Sequence, residues 1–155
     1  MRRFWIVCVL AVLASPASAE QARTWILDDN PEAPSLGFGA PDSDDVVIAI
    51  SCDPAAKRMT VVESIAAPKL SPGGTVTFRL TAGTQSIDLS GDAIANESDG
   101  AVSIEVTGAP NPRLFALLKA GPSLTIEVAD TKETIPLAAA VPHVPMLEKL
   151  CLGKK

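Results

Sequence analysis

Thr75-Val76-Thr77-Phe78-Arg79-Leu80-Thr81 is the stretch that decides the fold. Val76, Phe78 and Leu80 fall on one side of an extended chain and Thr77 and Arg79 on the other, the period-two pattern of a half-buried strand. The same alternation returns in Ser86–Ser90 around Ile87 and Leu89, in Val102–Val106, and in Leu124–Val128. Val46–Ile50 differs, because every position is apolar; it reads as a central strand covered on both faces and ending at Ser51-Cys52, with Met59–Ser64 as its partner. Turn residues separate these runs: Ala82-Gly83 as a two-residue hairpin loop, Pro72-Gly73-Gly74, and Asp99-Gly100. The expectation is an all-β, mainly antiparallel protein, a β-sandwich or partly open barrel of about seven to nine strands.

Two short helices interrupt the strands. Asn111-Pro112 is an N-cap followed by proline at the first helical position, Leu114, Leu117 and Leu118 share a face, and Gly121 stands where a C-cap glycine belongs. The last helix opens near Pro145 and places Leu147, Leu150 and Cys151 on one face, close to the C-terminus.

The N-terminus reads as an address. Arg2 and Arg3 precede the apolar run Phe4–Leu13, and Ala17-Ser18-Ala19 offers the small residues a signal peptidase recognises. Ser15-Pro16 interrupts the run well short of the roughly 18 apolar residues a membrane span needs. Residues 1–19 are therefore read as a signal peptide cleaved after Ala19, residues 20–44 as an acidic N-terminal segment, and residues 45–155 as the β-sandwich-like domain. The implied location is periplasmic or secreted, with no membrane span.

Cleavage removes Arg2 and Arg3, leaving 11 basic against 18 acidic residues and a formal charge of −7. Nucleic acid and anionic lipid are poor candidate partners, since both select basic patches. From Glu20 to Asp53 there are eight carboxylates and one base, Arg23. Cleavage also removes Cys8, so Cys52 and Cys151 are left as a pair in an oxidising compartment. A disulfide between them is the favoured reading, and two free thiols, one of them reactive, the alternative. No C-x-x-C is present to support redox chemistry.

The search for catalytic chemistry is mostly negative. His143 is the only histidine; a hydrolase using it is conceivable, yet no serine lies in a G-x-S-x-G elbow. Asp42-Ser43-Asp44-Asp45 is dense enough to suggest calcium, but the further acid, glycine and glutamate of an EF-hand loop are missing. Asp28 and Asp29 are adjacent, so on an extended chain they face opposite ways and cannot flank one glycosidic bond. Asn96-Glu97-Ser98 matches the glycosylation pattern, which a bacterial signal leaves idle. No cofactor motif is present. Trp25, followed by Asp28 and Asp29, together with Asp42, Asp44 and Asp45, is the candidate binding surface, with Trp25 on an edge strand, an adhesive arm, or packed against the sheet. Of the four aromatic rings beyond the signal, one or two are expected at the surface.

A signal peptide, an early Trp25 segment, a strand ending in Cys52, alternating strands, and Ile135-Pro136-Leu137 leading to a helix that ends in Leu150-Cys151 make a layout that resembles small proteobacterial periplasmic proteins. The invasion-associated locus B family and the neighbouring type VI secretion-associated periplasmic proteins are similar to it over most of the chain. The resemblance implies a β-sandwich-like fold without assigned catalytic residues, and Cys52 and Cys151 carry over as the bridge. Together these readings lead to an exported, non-enzymatic β-domain that binds a protein or cell-envelope component. An acidic inhibitor of a basic enzyme such as lysozyme is the runner-up.

Overall fold

The computed structural model describes residues 22–65, 70–96 and 100–153. The signal-peptide reading, Glu97-Ser98 and Lys154-Lys155 lie outside the described residues. Among the described residues, nine strands form one antiparallel sheet, curled into a half-barrel. In chain order they are β1 (Thr24–Asp28), β2 (Ser35–Gly39), β3 (Val46–Asp53), β4 (Arg58–Glu63), β5 (Thr75–Ala82), β6 (Gln85–Ala95), β7 (Val102–Gly108), β8 (Ser123–Val128) and β9 (Thr131–Pro136). Their order across the sheet is β1-β2-β3-β4-β7-β6-β5-β8-β9. β4 and β5, consecutive strands in the chain, thus stand apart in the sheet, with β7 and β6 between them.

Alternation sorts the faces as the period-two pattern requires. Phe78 and Leu80 are fully buried on the inner face, while Thr77 and Arg79 face outward with Ser90 and Asp88. Arg79 pairs with Asp88 at 2.7 Å and stands opposite Glu127, which in turn meets Lys132 at 2.8 Å. This row of alternating charge crosses β6, β5, β8 and β9, and it holds the Asp88 carboxyl below the usual range through the Arg79 hydrogen bond. Val46–Ile50 departs from the expectation of cover on both faces: Ile48 and Ile50 are fully buried, whereas Val46 and Ala49 are half-exposed. The register slips between Phe38 and Gly39, so that Gly39 stands opposite Val46, Phe38 opposite Ile48, and Val47 is the extra residue of a bulge.

Helix α1 (Pro112–Leu117) starts as the cap residues dictate, with the Asn111 side chain accepting the Arg113 N–H. It ends at Leu118 in right-handed geometry, so Gly121 is not its cap. A Cβ on Gly121 would lie 2.7 Å from the backbone nitrogen of Gly83, so the glycine is there for a close backbone approach. The hairpin loop is Gly83-Thr84, one residue later than expected, because Ala82 still pairs with Gln85. Gly83, at φ 56°, takes the first central position that requires a positive φ.

Helix α2 (Val144–Leu152) packs against β2, β3 and α1, burying Val144, Leu147 and Cys151. Cys151 is bonded to Cys52 at the end of β3, with Cα atoms 5.5 Å apart and a sequence separation of 99. Burying two large aliphatic side chains is worth about 2 kcal/mol each. The disulfide adds a covalent tie between the last helix and the first half of the sheet.

Candidate functional site

The two edge strands of the sheet come back toward each other. The indole Nε1 of Trp25 on β1 donates to the backbone oxygen of Pro136 on β9 at 2.6 Å. Arg23, just before β1, reaches Glu133 on β9 at 3.3 Å. Side chains therefore bridge this seam, whereas the other boundaries of the sheet are backbone ladders. Facing edges that bridge in this way are shielded from pairing with other chains. Pro136 fits its place, since an edge strand has positions that need no N–H.

Trp25 is 5% exposed, with its ring centroid 5.5 Å from that of Phe38. All four described aromatic rings, Trp25, Phe38, Phe78 and Phe115, are buried, so the one or two surface rings expected for recognition are absent among the described residues. The physical reason is parity: Trp25 and Phe38 are opposite partners on the inner face, and the intervening positions face out. Ile26 is the outward residue, 43% exposed.

Ile26 begins an outer cross-strand row. It stands opposite Gly37, which stands opposite Ala49, which stands opposite Val62. The row turns acidic at Glu105 and Asp92 on β7 and β6. Between β2 and β3 the chain turns sharply, and Ile26, Gly37, Gly39, Asp42, Ser43 and Asp44 border one shallow groove. The turn is internally braced: Ser43 Oγ donates to the Ala40 oxygen at 3.0 Å and accepts the Asp45 N–H at 3.2 Å. Gly39 permits it, since a Cβ there would sit 2.3 Å from the Asp45 oxygen.

The candidate acids divide between the two ends of β1. Asp28 and Asp29 lie at the β1–β2 connection, where Asp28 accepts the Asn30 N–H at 3.0 Å. Asp42, Asp44 and Asp45 lie in the β2–β3 turn. Asp45 is held by Arg23 through two 2.8 Å hydrogen bonds, which keep its carboxyl below the usual range. Asp28, Asp29, Asp42 and Asp44 make no ion pair among the described residues. His143 is half-exposed at the start of α2, where its side chain makes no capping hydrogen bond. Among the described residues, no cluster of three or more histidine, cysteine or acidic side chains is placed to hold a metal ion. Nor is any described helix long and apolar enough to cross a membrane.

Glu63 is the functional group that reading the sequence passed over. It is fully buried on the inner face of β4, opposite Ile48 on one side and Ile104 on the other, both without exposure. Its Oε1 accepts the N–H of Ile65, and its Oε2 has no partner. Burial pushes the carboxyl up to about 7; the Ile65 hydrogen bond opposes the shift and the charge of Glu133 adds to it. A carboxyl near neutrality suits proton transfer, but one without exposure touches no substrate. The signal was available in Met59-Thr60-Val61-Val62-Glu63, where alternation puts Glu63 on the face of Met59 and Val61.

No protein-family model matches the chain, and comparison with curated proteins and with solved structures finds no match.

Proposed function

We propose that the chain is exported and acts without catalysis, as a β-domain that binds a protein or cell-envelope component through the outer face of β1–β3. The observation that carries this reading is the apolar row Ile26–Gly37–Ala49–Val62 beside Asp42 and Asp44, which make no ion pair among the described residues. The Asp88–Arg79–Glu127–Lys132 row, by contrast, sets each outward charge beside one of opposite sign. An apolar strip rimmed by unpaired charge favours a docking face that is apolar at its centre and basic at its rim. The Cys52–Cys151 bridge supports an oxidising compartment, and the sequence of residues 1–19 supports export to it.

The test is capture from envelope extract by the wild-type chain and by an Ile26→Glu, Asp42→Asn, Asp44→Asn variant. A partner retained by the wild type at moderate salt and lost by the variant is the expected result. Equal retention by both refutes the assignment of the face.

Asp42 and Asp44, without an ion pair among the described residues, also favour a second reading, an inhibitor of a basic enzyme such as lysozyme. It predicts inhibition at low ionic strength that weakens as salt screens the charges, and unchanged lysozyme activity at low salt rules it out.

A further inference from the structure

β6 is the longest strand among the described residues, and β7 covers only its far end. On one side β6 pairs with β5 from Gln85 to Asp92; on the other it pairs with β7 from Asp92 to Ala95 only. β7 then leaves it, and Val106, Thr107 and Gly108 continue the ladder with β4 alone. The parting falls at Gly91, where a Cβ would lie 2.1 Å from the Glu105 oxygen. Residues 85–91 are therefore an open strand edge in the middle of the sheet order.

The hairpin fixes which backbone groups this edge offers. Across a two-residue loop the flanking residues, Ala82 and Gln85, exchange both hydrogen bonds, and the exchange recurs at every second pair. Gln85, Ile87 and Leu89 thus direct their N–H and C=O groups to β5, and those of Ser86, Asp88 and Ser90 point the other way. All three residues are exposed, and among the described residues no strand pairs with them on that side. Such a row of open groups is a template for a further strand.

Side chains at the two ends of the edge decide what fits. Beyond Gly91, on the outer face, Asp92 stands opposite Glu105, like charges that make no ion pair among the described residues. At the other end, Gln85 and Ile87 border a hollow with Arg113, Ala116 and Leu117 of α1. Arg113 makes no ion pair among the described residues either. Half-buried Ile87 and the apolar wall of the hollow suit an apolar side chain pointing inward. A second copy of the edge fits badly, because antiparallel pairing about its centre sets Asp88 against Asp88.

We propose that the β6 edge is a docking surface separate from the β1–β3 face, and that its occupant is the extended C-terminal segment of a partner protein, added antiparallel to β6. Antiparallel addition brings the terminal carboxylate to the Arg113 end. It sets a basic residue about four positions earlier opposite Ser90, next to Asp92 and Glu105. The backbone of Ser86, Asp88 and Ser90 supplies affinity, and the two charged ends supply direction.

The test is an NMR titration of the chain with the pentapeptide acetyl-Lys-Val-Thr-Val-Thr, read on the backbone amides. In the free chain the amides of Ser86, Asp88 and Ser90 are expected to exchange faster than those of Ile87 and Leu89. With peptide at about ten times its dissociation constant, their exchange slows about tenfold. Methylating the two threonine nitrogens of the peptide abolishes binding, whereas methylating the two valine nitrogens, which face away from β6, leaves it. Amidating the peptide's C-terminus, or Arg113→Ala in the chain, weakens binding about two- to fivefold. No binding up to about 5 mM peptide overturns the proposal, as do equal effects of the two methylations or amide shifts confined to residues 24–49. Protection of Ser86, Asp88 and Ser90 that grows with the concentration of the free chain gives the edge to a second copy and overturns it as well.

Discussion

Replacing Cys52 and Cys151 together by alanine removes the tie between β3 and α2 and leaves the sheet ladders untouched. The bridge spans 99 positions. Closing a loop of about 100 residues in the unfolded chain is worth roughly 4.7 kcal/mol in chain entropy at 25 °C. Both cysteines are buried, 5% and 4% exposed, so truncation also vacates a little packed volume next to Met59 and Leu147. Since whole domains are stable by about 5–15 kcal/mol, a loss of 4 to 5 is a large part of the total. Urea unfolding followed by circular dichroism, on the oxidised wild type, the reduced wild type and the double variant, checks the figure. The oxidised protein is expected to be the more stable by about 4–5 kcal/mol, with the two bridge-free forms close together and showing a larger denaturant slope because their unfolded chains expose more surface. A difference below about 1 kcal/mol refutes the loop-entropy reasoning. Free thiols in the oxidised protein by intact mass refute the bridge itself.

Other perturbations address other parts of the fold. Glu63 has a folded value of about 7 against 4.5 unfolded, so its contribution is fully present below the unfolded value and is lost as pH rises through the folded one; wild type is expected to lose up to about 3 kcal/mol across that window. Chemical denaturation at several pH values should show this decline in wild type and not in Glu63→Gln. Gly39→Ala puts a Cβ within 2.3 Å of the Asp45 oxygen and should lower stability by about 2 kcal/mol or more, whereas Gly108→Ala meets nothing within 4 Å and should be nearly neutral; melting temperatures compare them. Trp25→Phe leaves the Pro136 oxygen without its donor and should cost about 1–3 kcal/mol by urea titration, while a loss within error contradicts a structural role for the seam.

The strands legible in the sequence are those where polar and apolar residues alternate cleanly. Val76, Phe78 and Leu80, or Leu124, Ile126 and Val128, define a face because their neighbours are threonine, arginine, serine or glutamate. β2 was hidden because Gly37 on its outer face and Gly39 at its end read as loop punctuation, although Leu36 and Phe38 supply the inward face. Val46–Ile50 misled in the opposite direction, because Ala49 on the outer face is apolar without being covered. Gly121 resembled a cap, and only the three-dimensional approach of Gly83 reveals its task. The bridge was legible by counting cysteines, since pairing needs no geometry to suggest it. The seam was not, because Trp25 and Pro136 lie 111 positions apart and meet only through the curl of the sheet. Glu63 lay between these cases: its parity pointed inward, but its isolation depends on Ile48 and Ile104, contributed by other strands.

The proposed binding face is tested most directly by hydrogen exchange of the chain alone and in complex with the partner retained from envelope extract. The account predicts protection concentrated in residues 24–28 and 35–49, the strands and turn around Ile26, Gly37 and Asp42–Asp44. Protection confined to β5, β6 and β8, with residues 24–49 unchanged, would contradict it.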